Sequence, residues 1–152
     1  GAMIGIRRAG PEDLRLLAEV GLAQYVRATK QAGMPFKPDE LVDMVRGYLE
    51  DPNSLVLVAE RDGKAIGALW GQLRSAVLYT NTQFFFVAFW VMQPGQGWAA
   101  VKLLQAAMAA VEPVAPAMTV SFMHGSADPR LPKLLERLGF TAGETIYTRS
   151  TS

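Results

Sequence analysis

The chain has 152 residues, half of them hydrophobic and 19% charged, with a net charge of +1. That length fits one domain with a sizeable core, the composition argues against disorder, and the near-neutral balance gives neither a nucleic-acid footprint nor an acidic tail. No cysteine is present, which excludes disulfides, thiolate metal sites and cysteine nucleophiles.

Gly1-Ala2 ahead of Met3 reads as a cloning scar, leaving a single domain expected over 3–152. "IGIRRA" alternates, with Ile4 and Ile6 on one side, and predicts a first strand. "GPEDLRLLAEVGLAQYV" predicts a helix. Pro11 suits its first turn, Glu12 and Asp13 favour its positive end, and Leu14, Leu17, Val20 and Leu22 form the apolar stripe. After a loop, "DELVDMVRGYLE" predicts a second helix with Leu41, Met44, Val45 and Tyr48 on one face. "SLVLVAERDGKAIGALWGQL" predicts a hairpin turning at Asp62-Gly63. "RSAVLYTNTQ" is expected to link it to the strand "FFFVAFWVM", apolar on both faces and therefore central.

A helix is expected from Gly97 to about Val111, ended by the prolines of "EPVAPA". "MTVSFM" then predicts a strand, "DPRLPKLLERLGF" a short helix stopped by Gly139, and "ETIYTRS" a last strand. The resulting order, β-α-α-β-β-β-α-β-α-β, is that of an α/β (α+β layered) domain with a mixed sheet. The apolar run ending at Met92 is shorter than the about 20 residues a bilayer takes. The expectation is a cytoplasmic protein with no nucleic-acid or membrane partner. The aromatic residues of the central strand are as compatible with a homodimer edge as with a buried strand.

The most informative stretch is "WVMQPGQGWAAVKLL" (residues 90–104), where an apolar strand runs through Pro94, Gly95 and Gly97 into an alanine- and leucine-rich helix. The first turn of a helix leaves about four N–H groups without partners and carries the positive end of its dipole. Glycines ahead of it let an anionic ligand approach the backbone. A tight turn with no ligand explains the same residues. "GQGWAA" also fits the dinucleotide pattern G-x-G-x-x-A, but three antiparallel-looking strands precede it. The nearest acid at the required distance, Glu112, stands against Pro113 at the helix end. One histidine and scattered carboxylates give no metal site.

Several segments taken together and in order resemble the GNAT family of acetyl-CoA-dependent N-acetyltransferases. "IRRAGPEDLRLLAEV" is similar to that family's opening strand and helix, and "LVLVAERDGKAIGALWGQL" to its hairpin. "PGQGWAAVKLL" is similar to its cofactor loop, and "LPKLLERLGF" with "YTRS" to its last helix and strand. The "GWAAVKLLQA" portion is also similar to acetyltransferase-like proteins carried by phages. The resemblance covers nearly the whole chain. It implies a mostly antiparallel central sheet flanked by helices, acetyl-CoA as cofactor, and direct acetyl transfer to a primary amine of a small molecule or a protein.

The resemblance also implies site residues. Gly97 and Ala99 occupy the family's glycine and small-residue positions, so the N–H groups of Gln96, Gly97, Trp98 and Ala99, beside Gly95, would receive the pyrophosphate. Ala99 would be small to leave the cofactor room. Main chain around Phe89 to Val91 would pair with the pantetheine arm, and the thioester would lie where this strand and "MTVSFM" part. The Trp98 side chain is expected to pack into the helix interface, with a place on the site's rim as the other reading. His124, the only histidine, follows the strand flanking the thioester and is a candidate base. Ser126 is a candidate contact to cofactor or substrate, with helix capping by Ser126 or Asp128 as its other reading. Tyr79 and Tyr147 are candidate acceptor-pocket or packing residues.

Three positions depart from the family. Pro94 stands where an arginine or glutamine usually begins the loop, with Gln93 beside it. Leu135 stands where many members carry the tyrosine that protonates the leaving thiolate, and the strand "QFFFVAFWV" lacks the glutamate some use as a base. A CoA-binding or structural protein of the same fold, without efficient transfer, is therefore the alternative function.

Overall fold

The computed structural model describes residues 3–19, 21–22, 37–76, 79–91, 97–121, 130–143, 147, 149 and 151, with the main chain alone at 38, 75–76, 79–91 and 97. Strand β1 is Gly5–Arg8, followed by a 3-10 turn Pro11–Asp13 and a helix α1 seen over 14–19 and 21–22. Helix α2 (Pro38–Glu50) leads to β2 (Ser54–Arg61), β3 (Lys64–Ala76) and β4 (Tyr79–Val91). Helix α3 (Gly97–Val111), strand β5 (Ala117–Val120) and helix α4 (Leu131–Arg137) follow. The strands form one sheet in the order β1-β2-β3-β4-β5, antiparallel throughout except that β5 runs parallel to β4.

Local chemistry accounts for the turns. Asp62 (φ 53°) and Gly63 (φ 74°) both lie at positive φ, as a two-residue hairpin turn requires. Pro38 opens α2 with Asp39 and Glu40 in its first turn, where the helix dipole favours them. Gly139, at φ 92°, closes α4. The Gly139 N–H donates to the Glu136 carbonyl (3.0 Å) and the Phe140 N–H to that of Leu135 (2.9 Å), the paired bonds of a Schellman motif.

The sheet is covered on both faces. On one, α3 and α4 contribute Ala99, Leu103, Leu104, Ala107, Val111, Leu131 and Leu135 to a core shared with Ile4, Leu55, Leu57 and Leu69. On the other, Leu17 of α1 and Leu41 and Val45 of α2 pack with Val56 and Ala68, flanked by Leu14, Tyr48 and Trp70. Strand β2 shows the consequence, with Leu55 through Ala59 all buried.

Four expectations are revised. Met44 and Leu22 lie on their helix surfaces, exposed although they sit near the apolar stripes. Val20 lies outside the described residues. "RSAVLYTNTQ" is not a link. Its described residues lengthen β3 and β4, which pair from Gly67↔Val91 to Ala76↔Tyr79 with a register shift at Ser75/Ala76. Pairing outweighs the loop-like composition, and Tyr79 begins a strand. Most of the last strand expected over "ETIYTRS" lies outside the described residues. Tyr147 and Arg149 are not in a strand, and Tyr147, 92% exposed, is not a packing residue. The packing of the two faces of β4 likewise lies outside what is described.

Gly47 sits in the exposed interior of α2, and a Cβ built there meets nothing within 4 Å. Glycine costs a helix interior up to about 1 kcal/mol relative to alanine. Gly47→Ala should therefore raise stability by about 0.5–1 kcal/mol in a urea titration.

Candidate functional site

β4 and β5 stay together only briefly. Their parallel pairing runs Phe84↔Ala117, Phe85↔Met118, Phe86↔Thr119 and Val87↔Val120, and β5 then ends. β4 continues to Val91, held on its other side by Trp70↔Ala88, Leu69↔Phe89, Ala68↔Trp90 and Gly67↔Val91. Among the described residues, the β5-side main chain of residues 88–91 has no ladder partner. An unpaired strand edge carries N–H and C=O groups ready to accept an extended chain.

Helix α3 starts at Gly97, a few residues beyond that open edge. Its first turn holds no acidic side chain, so its N–H groups and the positive end of its dipole are not neutralised from within that turn. Trp98 is 72% exposed. Ala99 and Ala100 turn inward, and Ala99 is fully buried in the core with Leu103 and Ala107. Two expectations change. The Trp98 side chain does not pack into the helix interface, because it lies off the inward stripe. Ala99 is small because the helix approaches the sheet there; its methyl faces the core, not a ligand.

The expected contributions are unevenly described. Val91 ends β4 opposite Gly67, and Gly97, Trp98 and Ala99 form the first turn of α3. The strand edge and the helix mouth thus follow one another in the chain as expected. Gln93, Pro94, Gly95, Gln96, His124, Ser126 and Asp128 lie outside the described residues. Leu135 is buried on α4 among apolar neighbours, so this position offers no hydroxyl.

Two cavities among the described residues lie away from the open edge. The larger, about 240 Å³, is walled by Arg8, Tyr48, Glu50, Asp51, Ser54 and others at the start of β2. That end of the sheet is level with Gln72 and Phe86, where β5 is still paired. An apolar space between α1, α2, Val56 and Trp70 measures about 20 Å³, room for about one water. Among the described residues no His, Asp and Glu group is arranged to hold a metal ion, and no helix is long and apolar enough to cross a membrane.

One charged cluster was not anticipated. The Arg7 guanidinium donates to both carboxylate oxygens of Asp13 (2.7 and 2.8 Å), and its Nε donates to Glu60. The Gly10 N–H donates to Asp13 (2.8 Å), and the Asp13 N–H returns to the Gly10 carbonyl (2.9 Å). Asp13 is 6% exposed. Hydrogen bonds from Arg7 hold its carboxyl below the ordinary range, outweighing burial, and the Gly10 N–H adds to them. The cluster ties β1, the 3-10 turn and β2 together. Asp13 three residues after Gly10 was the available signal, but the pairing depends on the sheet bringing Glu60 alongside.

No family model matches the sequence, and no curated protein sequence matches it. Solved structures do match its fold. A probable acetyltransferase is 22% identical with a TM-score of 0.70, covering 97% of this chain and 98% of its own. A transcriptional regulator from Bacillus halodurans C-125 is 20% identical, TM-score 0.72, covering 96% and 98%. A predicted acetyltransferase from Clostridium acetobutylicum, solved with acetyl-CoA, is 15% identical, TM-score 0.67, covering 95% and 94%. The chain has the GNAT fold. In GNAT-fold terms, the region singled out above comprises the parting of β4 from β5 and the entrance of α3. At these identities the likeness is one of architecture.

Proposed function

We propose that the protein is an acetyl-CoA-dependent N-acetyltransferase, moving an acetyl group directly to a primary amine of a small molecule or a protein. The observation that carries this reading is the edge of β4 at residues 88–91, without a ladder partner among the described residues, leading within a few residues to the acid-free first turn of α3. An extended amide-bearing arm matches the former and a pyrophosphate the latter, so the two features fit the two halves of one cofactor. The structure solved with acetyl-CoA adds support for a CoA-type ligand on this fold.

In this reading the main chain of Ala88 to Val91 holds the pantetheine arm, and the N–H groups of Gln96, Gly97, Trp98 and Ala99, beside Gly95, hold the pyrophosphate. Acetyl-CoA supplies the acetyl thioester, whose C–S bond breaks as the amine's C–N bond forms. The chain's contribution is orientation and backbone hydrogen bonding, both large terms in acyl transfer. His124 takes the amine proton as the proposed base, and Ser126 contacts cofactor or substrate. Leu135 cannot return a proton to the thiolate, so that proton comes from the amine or from water.

Leu135 also favours a second reading, a GNAT-fold protein that binds CoA and acts through a partner without efficient transfer. Thermal unfolding with acetyl-CoA, CoA and NAD tests the cofactor, and release of free CoA thiol on adding amines tests transfer. At about 100 times its dissociation constant, acetyl-CoA should stabilise the protein by about 2.7 kcal/mol. Stabilisation with no thiol release across primary amines would favour the second reading. Stabilisation by NAD alone would overturn both.

A further inference from the structure

We infer that the Trp98 indole stacks on the adenine of the bound coenzyme and sets its preference for CoA over shorter pantetheine carriers. This rests on the CoA reading above. If the arm lies along residues 88–91 and the pyrophosphate on the first turn of α3, the next part of the same molecule is an adenosine leaving that turn. Trp98 belongs to that turn and is 72% exposed, while its neighbours Ala99 and Ala100 point into the core. Helical Cα–Cβ bonds tilt toward the N-terminus. The indole therefore leans toward the end where the N–H groups have no partners within the helix, not back along α3. No acidic side chain shares the turn to repel a phosphate-bearing ligand.

The chemistry follows from the side chain. An indole offers a broad π-face and a single N–H donor, suited to a purine and useless to the flexible pantetheine. Elsewhere on its outward face α3 carries Gln105 and Ala109, both exposed, so Trp98 is that face's only aromatic group. Its contribution is to affinity for the adenine half, separate from the groups that hold the thioester.

Calorimetric titration of CoA and of 4′-phosphopantetheine into wild type, Trp98→Ala and Trp98→Phe tests the inference. Alanine should weaken CoA about 5- to 160-fold, the range expected for losing one base–aromatic stack. Phenylalanine should recover most of that loss, and phosphopantetheine should bind all three proteins alike. Equal CoA affinity in wild type and Trp98→Ala would overturn the adenine contact while leaving the CoA reading intact. Equal loss of both ligands would also overturn it, because the effect would then not reside in the adenine. Failure of the wild type to bind CoA would overturn the underlying reading and the stack with it.

Discussion

Asp13→Ala should destabilise the protein by about 2–3 kcal/mol at neutral pH, one of the largest losses expected from a single polar substitution. The substitution removes two charge-assisted bonds from Arg7 and the bond from the Gly10 N–H. The estimate stays at the low end for a buried pair because the Arg7 side chain is 38% exposed and keeps Glu60. The carboxyl of Asp13 is held below its ordinary value of 3.8 in the folded chain. A depressed folded-state pKa contributes stability that is fully present above the unfolded value and is lost as pH falls through the folded one. The gap between wild type and Asp13→Ala should therefore be constant above about pH 5 and shrink on acidification below pH 4. Arg7→Met should shift in the same direction, and more steeply. It leaves a buried carboxylate with the Gly10 N–H alone, so this variant should gain stability relative to wild type as the pH falls. Urea midpoints at a series of pH values measure both, and a pH-independent gap would show that the cluster is not an ion pair in solution.

Gly97→Glu should abolish acetyl-CoA stabilisation, removing all of the about 2.7 kcal/mol expected at 100 times the dissociation constant. The argument uses the helix dipole twice. A carboxylate in the first turn of α3 is favourable to the free protein by about 0.3–1 kcal/mol, so the variant should unfold no earlier than wild type without ligand. The same charge occupies the field that would receive a pyrophosphate and repels it. Unchanged intrinsic stability with a lost ligand shift is the expected pair of results. An undiminished shift in the variant would move the cofactor away from α3.

Much of this architecture was legible because its signals are local. Asp62-Gly63, the bounds of α3 and the stop at Gly139 each rest on a few adjacent residues whose backbone preferences have no competitor. The extension of β3 and β4 was not, because Tyr79 to Gln83 read as loop until β3 lies alongside, pairing Ser75 with Gln83 and Ala76 with Tyr79 across a register shift. The Arg7–Asp13–Glu60 cluster joins residues that only the folded sheet makes neighbours. Trp98 was misread for a subtler reason. Ala99, Leu103 and Ala107 recur every four residues and are all fully buried, and that phase already places position 98 off the inward stripe. The signal was present, but the expectation weighed the aromatic's size above its helical angle.

The parallel strand has a consequence for how the protein comes to be assembled. β2, β3 and β4 follow one another with only two residues between each pair, and the last two pair over ten register positions, whereas β5 reaches β4 only across the whole of α3 and meets it at four. Closing the longer loop spends chain entropy before the few contacts reward it. The meander is therefore the early scaffold of folding and β5 a late addition. The gap beside residues 88–91 is bounded by the strand that docks last, so the candidate cleft takes shape only as folding finishes.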